Sequence, residues 1–114
     1  MIDKLIIQTN NDIYEIRKVI THLGFYIENE VIVKERGIFY VIIKFARGNK
    51  KYTWKQLHLG PILCISKTQE KQDYFQFLLD TNNQILDKLP KKYYLKKLKL
   101  KYMNNLLKKE LHKS

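Results

Sequence analysis

The sequence predicts an α/β chain in which a strand, a helix and a β-hairpin precede an antiparallel, coiled-coil-like pair of helices. Short β-branched runs surround one amphipathic stretch before residue 46, and heptad-like spacing follows residue 66. Residues 1–46 hold six Lys/Arg and six acids, whereas residues 47–114 hold sixteen Lys/Arg and five acids and so carry the whole net charge of +11. A neutral, apolar first part followed by a cationic, helix-patterned second part indicates a packed module with an arm for a polyanion, most simply nucleic acid.

The first two predicted elements form a strand–helix unit. The run Leu5–Ile7 is typical of a strand buried inside a parallel sheet. A helix should follow, because apolar residues recur at spacings of three, four and seven. We expect Asp12 and Glu15 to form a capping box at its start and Gly24 to end it. The predicted apolar face consists of Ile13, Ile16, Val19, Ile20 and Leu23.

Three further strands are predicted before the charge rises. Phe25–Glu28 returns from the helix, and Val31–Glu35 pairs with Ile38–Phe45 as an antiparallel hairpin around a turn at residues 36–37. The hairpin prediction depends on the β-branched and aromatic residues of both arms and on the glycine in the turn. Hydropathy falls over Ala46–Lys51, which marks the end of the β-region.

The rest of the chain is predicted to be helical. One seam consists of Phe75, Leu78, Asn82, Ile85 and Leu89. Pro90 ends that helix, and the second apolar stripe consists of Tyr94, Leu95, Leu98, Tyr102 and Leu106, broadened by Leu100, Met103, Leu107 and Leu111. We therefore divide the chain into an α/β region, residues 1–58, and a basic helical hairpin, residues 59–114.

No catalytic centre is apparent in the sequence. The four glycines are scattered, so no phosphate-binding loop exists, and His22, His58 and His112 lack the spacing of metal ligands. Cys64 is the single cysteine, which excludes an internal disulfide. No apolar run reaches the roughly 18 residues that a membrane span needs, and no signal peptide is visible. We expect a cytoplasmic protein without a metal or a membrane partner.

Three segments, in order along the chain, carry a resemblance to a known family. They are Lys4–Asn10, Glu30–Val41 and Leu59–Leu63, the last with the sequence Leu-Gly-Pro. Together they resemble the bacterial tRNA (adenine(22)-N(1))-methyltransferases, in which a strand enters a Gln-Pro-Asn loop and is followed by a helix and a hairpin. Thr9 stands where that family has proline. The resemblance implies the C-terminal half of a Rossmann-like methyltransferase sheet, followed by helices that hold tRNA.

The same resemblance implies a division of labour. In that family the N-terminal half binds S-adenosyl-L-methionine, and its cofactor loops precede the segment that this chain resembles. We therefore expect no cofactor to be bound by this chain alone. S-adenosyl-L-methionine is implied for the full-length family, the expected partner is tRNA, and the cofactor-binding half is supplied in cis or by a separate chain. We expect the chain not to be catalytic alone.

Two residues of the first loop are substrate candidates on the strength of the resemblance. Gln8 and Asn10 follow a strand, at the sheet edge where open α/β folds bind ligands. Their amide groups suit the hydrogen-bonding edge of an adenine turned out of its stack. The alternative is that Asn10 or Asn11 only caps the following helix.

Lysines provide the other candidate site. They interleave with tyrosines near the C-terminus, where Glu110 is the only acid after Asp87, and such a surface can follow a phosphate backbone. The alternative is a merely solubilising face. We expect Trp54 to be a packing residue. A different functional class, a protein-interaction module that docks through its apolar sheet edge and helix seam, also remains open. The RNA-binding candidates are Lys50, Lys51, Lys55, Lys91, Lys92, Lys96, Lys97, Lys99, Lys101, Lys108 and Lys109.

Overall fold

A computed structural model describes residues 2–113, which divide into two compact units between Ser66 and Lys67. The sequence analysis divided the chain after residue 58, whereas the short helix that follows Gly60 belongs to the first unit. The first unit contains β1 (Lys4–Thr9), α1 (Ile13–His22), β2 (Phe25–Glu35), β3 (Ile38–Arg47), α2 (Trp54–Leu59) and α3 (Pro61–Ile65). The second contains α4 (Gln69–Lys88), a 3₁₀ turn (Lys91–Tyr93) and α5 (Tyr94–His112).

The sheet of the first unit has the strand order β1-β3-β2. Both outer strands pair antiparallel with β3, so β1 and β2 run parallel to each other with β3 between them. Val41 lies opposite Thr9 on one side and opposite Ile32 on the other. The predicted α/β class, with a strand, a helix and a hairpin followed by two helices, is confirmed.

Two strand predictions were wrong in detail. β1 is an edge strand in which exposed and half-buried residues alternate, and Ile6 is 65% exposed. It is not buried on both faces because the sheet face that carries Ile6 is open in the part of the chain described, and it is an edge strand because it pairs there with β3 alone. The predicted strands Phe25–Glu28 and Val31–Glu35 are one strand, β2, which continues through a bulge between Ile27 and Asn29. The bulge leaves Glu28 without a partner residue on β3 while the strand goes on.

The hairpin and the helix stop agree with the prediction. Arg36 and Gly37 both have positive φ, 52° and 80°, as the two central residues of a type I′ turn require. This turn matches the right-handed twist of the flanking strands and fixes the register of β2 against β3. Gly24, with φ 93°, follows the C-cap of α1 in a conformation that a residue with a Cβ rarely adopts.

The start and the buried face of α1 differ from the prediction. Asp12 has the left-handed φ of 55°, and its side chain makes no capping bond, so the expected capping box is absent. A side chain caps a helix from an extended backbone, and Asp12 is not extended. Val19 and Leu23 are more than half exposed, whereas Arg17, which the apolar pattern omitted, is buried. The buried stripe of α1 thus includes a charged residue.

The core of the first unit lies on one face of the sheet. Ile32, Val41, Ile43 and Phe45 are buried, and they share this face because directly paired residues point the same way. The opposite face is open: Ile6, Val31, Val33 and Ile38 are all large apolar residues that remain exposed. An apolar open face is unusual for a sheet of an α/β protein, which is normally covered on both faces.

The second unit is an antiparallel helical hairpin, as predicted, but its seam is shifted on α5. Tyr94, Leu98 and Tyr102, which we assigned to the seam, are 63%, 58% and 54% exposed. Leu106 is buried as predicted, and it is joined by Asn104 and by the residues assigned to the margin, Leu100, Met103, Leu107 and Leu111. On α4, Phe75 is buried as predicted and Ile85 is exposed. Apolar residues occupy two neighbouring stripes of α5, and periodicity alone did not distinguish them.

Asparagines connect the two helices of this seam. Asn82 Nδ2 donates to Asn104 Oδ1 at 3.0 Å, and Asn104 Nδ2 donates to Asn83 Oδ1 at 3.0 Å. Asn104 is buried. A buried polar residue that finds its hydrogen-bond partners in only one alignment of the two helices fixes their register and pairing.

Candidate nucleic-acid interface

The loop after β1 presents its amide side chains to solvent. Gln8 and Asn10 are exposed, and neither side chain hydrogen-bonds to another residue in the part of the chain described, 2–113. Thr9 orders the loop between them, because its Oγ1 donates to the Asn11 carbonyl at 2.6 Å and accepts from the Asn11 amide at 3.2 Å. Threonine thus restrains the loop through hydrogen bonds at the position where the resembling family has proline.

The projecting hairpin adjoins this loop. β1 ends at Thr9, level with Val41 and Ile32, and the two hairpin strands continue past that level to the turn at residues 36–37. Exposed apolar side chains, among them Val33, line the open face of this extension. The carboxyl ends of the two parallel strands therefore meet at one edge of the sheet, the edge at which open α/β folds bind ligands.

Most of the candidate lysines lie in the second unit. Lys91 and Lys92 are on the 3₁₀ turn, and the remaining six are on α5; all eight are exposed except Lys97, which is half-buried. Lys97, Lys101 and Lys108 recur at spacings of four and seven, which puts them in one row along the helix. The other α5 candidates are Lys96, Lys99 and Lys109, which lie on other rows.

The lysine row borders the exposed aromatic stripe of α5. Tyr94, Leu98 and Tyr102 recur every fourth residue, and each of the first two lies three residues before a lysine of the row, Lys97 or Lys101. We call this combination the tyrosine–lysine face: Tyr94, Leu98 and Tyr102 with Lys97, Lys101 and Lys108. It offers flat rings and ammonium groups side by side, which are the two chemistries that bind nucleic acid strands.

Lys50 and Lys51 lie in the first unit, in the segment between β3 and α2, and Lys55 is half-buried on α2. The first two line a cavity of about 560 Å³ with Thr21, His22, Asn49, Tyr52 and Leu57. This cavity is at the end of the sheet where β3 finishes and β1 starts, so it is separated from Gln8 and Asn10 by the length of β1, about 17 Å at 3.3 Å per residue. The structure thus keeps these two candidate sites apart.

Sequence reasoning missed the buried ion pair that holds this unit together. Arg17 Nε donates to Glu30 Oε2 at 2.7 Å, and both side chains are almost wholly buried. Arg17 Nη1 also donates to the Leu57 and His58 carbonyls at 3.0 Å each, at the C-terminal end of α2. The one signal in the sequence is that Arg17 lies on the helix face between Ile13, Ile16 and Ile20.

The segment that begins with the Leu-Gly-Pro sequence contacts the Glu30 side of this ion pair. Glu30 Oε1 accepts the amides of Ile62 at 3.0 Å and Leu63 at 3.3 Å, at the start of α3. A Cβ at Gly60 would lie 2.5 Å from Glu30 Oε1 and 2.7 Å from Arg17 Nη2, and its φ is 96°. Glycine is therefore required both by the backbone conformation and by the space that the ion pair occupies.

Aromatic and titratable groups complete the first unit. Trp54 packs against His58, with ring centroids 4.0 Å apart, and His58 stacks on Tyr14 at 3.9 Å. The Tyr52 hydroxyl accepts the Ile27 amide at 2.8 Å, and burial raises the Tyr52 pKa above its ordinary 10.0. On the open face, the hydrogen bond from Lys4 lowers the pKa of the Glu28 carboxyl.

Two further features of residues 2–113 bear on function. Their His, Cys, Asp and Glu side chains nowhere gather in threes as a metal site requires. None of their helices has the length and apolarity needed to cross a membrane.

The comparisons with known proteins agree with this geometry. The family model for tRNA (adenine(22)-N(1))-methyltransferase, TrmK, matches residues 1–113. This chain belongs to the TrmK family. The resemblance on which the sequence prediction depended is confirmed. No curated protein matches the chain.

Solved structures of this family have the same fold over half their length. Streptococcus pneumoniae Sp1610, a proposed tRNA (m1A22) methyltransferase, is 26% identical with a TM-score of 0.87; the alignment covers 97% of this chain and 50% of that one. A Rossmann-superfamily protein from Streptococcus agalactiae is 25% identical with a TM-score of 0.86, covering 96% and 48%. TrmK from M. capricolum, solved with S-adenosyl-homocysteine, is 16% identical with a TM-score of 0.76, covering 96% and 49%. The TrmK-family chain thus spans about half the length of the solved structures that it matches.

Proposed function

We propose that this TrmK-family chain is the tRNA-binding part of a tRNA (adenine-N1)-methyltransferase and does not transfer methyl groups alone. The observation that carries the proposal is the tyrosine–lysine face, an exposed aromatic and cationic surface on a chain whose family acts on tRNA. Ordinary protein surfaces mix charges of both signs, and an excess of one sign this large favours a polyanionic ligand.

The face would bind RNA by two contributions. Lys97, Lys101 and Lys108 contact phosphates and release counterions, which makes the affinity fall steeply as salt rises. Tyr94 and Tyr102 stack on bases without reading their identity. Neither contribution selects a sequence, so the face positions the tRNA while another site selects the nucleotide.

Gln8 and Asn10 are the residues proposed for that selection. Their amides are exposed and free of protein partners among residues 2–113, and an amide can both donate to and accept from an adenine edge. The alternative, capping of α1 by Asn10 or Asn11, is not favoured, since neither side chain hydrogen-bonds to the first turn of α1 among residues 2–113. The ordered turn at Thr9 holds the two side chains on one short loop.

The residues described do not fit S-adenosyl-L-methionine by themselves. The cavity of the first unit is lined by two lysines and a histidine and by no carboxylate, a field that disfavours a sulfonium cation. The cofactor would therefore be held by a second half, in cis or on a separate chain. The open sheet face and the free edge of β1 suit such a half, since a strand added at that edge would pair with exposed backbone groups.

Salt-dependent tRNA binding tests the proposal. We expect that a filter-binding series from 50 to 300 mM salt gives a steep slope, and that Lys97→Gln, Lys101→Gln and Lys108→Gln together lower the slope by about 2 to 3. The matched control removes three exposed charges that belong neither to the tyrosine–lysine face nor to the hairpin: Lys18→Gln, Lys67→Gln and Lys88→Gln. An equal loss of tRNA affinity in both variants, or an affinity that does not depend on salt, would refute the role of the tyrosine–lysine face in RNA binding.

The division of labour has its own test. We expect isothermal titration of the purified chain with S-adenosyl-L-methionine to give no binding signal. We also expect no methyl transfer to tRNA unless a cofactor-binding half is added. Binding of the cofactor by the chain alone would overturn the division of labour without affecting the proposal that the tyrosine–lysine face binds tRNA.

Protein docking is the second candidate function, and the open sheet specifically favours it. Ile6 is the most exposed apolar residue of β1, so Ile6→Lys should block docking at the edge while leaving tRNA binding unchanged. Co-purification of the chain with a cofactor-binding half measures it. Undiminished co-purification of the lysine variant would exclude this edge.

A further inference from the structure

The cavity lined by Lys50 and Lys51 is built rather than incidental. It lies between the end of α1 and the segment that leads from β3 to α2. The Gly48 amide donates to the Gly24 carbonyl at 2.9 Å, which joins the two chain segments that contribute the lining residues Thr21, His22 and Asn49. The Tyr52 hydroxyl accepts the Ile27 amide, which fixes the ring that forms one wall. A ligand would therefore meet a preformed site.

The charges of the cavity favour an anion. Lys50 and Lys51 have no ion-pair or hydrogen-bond partner among residues 2–113, and none of the lining residues is acidic. His22 Nδ1 lies 2.6 Å from the Lys18 carbonyl and must donate to it, so Nε2 is the ring nitrogen left for a ligand. The carboxyl end of α1 opposes an anion with about half a charge, which two ammonium groups outweigh.

The cavity also has an apolar part. The Tyr52 ring and Leu57 line it beside the polar groups, and Asn49 and Thr21 add donors and acceptors. Its volume of about 560 Å³ falls within the usual range for small-molecule sites, about 300–1,000 Å³. A bare phosphate would leave the apolar wall unused, whereas a nucleotide uses both the charge and the ring.

We propose that this cavity binds one nucleotide of the RNA, with its phosphate at Lys50 and Lys51 and its base against Tyr52 and Leu57. The proposal deepens the proposed function and rests on it. Because the cavity is about 17 Å along β1 from Gln8 and Asn10, a single nucleotide cannot occupy both sites. The cavity would hold a second nucleotide of the same RNA and so orient the strand relative to the sheet.

The first test is a charge-matched comparison of tRNA binding. We expect the variant Lys50→Gln/Lys51→Gln to lower the salt slope by about 1.4 to 1.8, equivalent to about 30-fold weaker binding at 0.1 M salt. The control Lys18→Gln/Lys67→Gln removes two exposed charges that neither line the cavity nor adjoin the loop of Gln8 and Asn10, and it should change the slope by less than half a unit. A cavity variant that behaves like this control overturns the proposal.

The second test identifies the ligand chemistry with free AMP and with inorganic phosphate. We expect AMP to shift the amide resonances of Thr21, His22 and Asn49 in the folded chain, and phosphate at the same concentration to shift them less. Equal shifts with phosphate would overturn the role of the base, and no shift with either probe would overturn the site. Tyr52→Leu should weaken the AMP shifts more than Tyr52→Phe, since only the first removes the ring.

The two proposals fail in distinguishable ways. If the chain with its unaltered sequence shows no salt-sensitive tRNA binding, the proposed function is refuted. Retained binding that responds to the α5 lysines but not to Lys50 and Lys51 would refute the cavity alone.

Discussion

Replacing Arg17 with methionine should destabilise the first unit severely. Arg17 makes three hydrogen bonds, one to Glu30 and two to the carbonyls at the end of α2, and its side chain is 1% exposed. Methionine fills much of the volume of the arginine side chain but carries no charge. The buried Glu30 carboxylate would then keep only its hydrogen bonds to the amides at the start of α3. Breaking a buried ion pair by removing one partner costs about 3–5 kcal/mol, against a total of about 3–10 kcal/mol for a unit of this length.

Urea unfolding followed by tryptophan fluorescence measures this loss. Trp54 is the single tryptophan and lies on α2, so its signal reports the first unit and not the helical hairpin. Lys18→Met is the matched control: Lys18 is the exposed neighbour on the same helix, and its replacement should change the free energy of unfolding by less than about 0.5 kcal/mol.

A double variant makes the reasoning refutable even where the single variant fails to fold. Arg17→Met with Glu30→Gln removes the buried charge but keeps an oxygen for the Ile62 and Leu63 amides. We expect its loss in free energy of unfolding to be about 2 kcal/mol smaller than the sum of the losses of the two single variants, within the range for residues in contact. A loss below 1 kcal/mol for Arg17→Met, or additivity in the cycle, would show that the pair does not hold the unit together.

Three further predictions follow from named contacts. Gly60→Ala should lower the urea midpoint of the first unit by more than Gly37→Asn, since only Gly60 faces the ion pair at 2.5 Å; equal shifts would contradict this. Tyr52→Phe should lower the free energy of unfolding by about 0.5–1.5 kcal/mol near pH 7, because the Ile27 amide loses its acceptor. The raised pKa of Tyr52 means that folding favours the protonated hydroxyl, and this advantage is lost as pH rises through the folded pKa, so the variant should lose less stability above pH 10. Parallel pH profiles of stability for the two proteins would contradict this. Asn104→Leu should permit alternative helix pairings, detectable as a change of oligomeric state by light scattering, whereas an unchanged monomer fraction would argue against register control.

Strong local patterns in the sequence determined the elements. The period-2 runs of the hairpin, the positive-φ turn at residues 36–37 and the stop at Gly24 depend on neighbours in the chain, so periodicity and turn chemistry predicted them. The family resemblance also came from segments read in order. Charge asymmetry pointed to the lysines of α5 before their exposure was known.

Placement between elements was decided only by the tertiary structure. That Arg17 lies under Glu30, and that Gly60 must stay bare beside them, depends on residues 13 and more positions apart meeting in the core. The choice of seam on α5 was equally open, because two apolar stripes compete for one partner and the winner is set by packing against α4. Local sequence fixes where backbone hydrogen bonds form, but which side chains become buried depends on what packs against them, and that information is distributed over the whole fold.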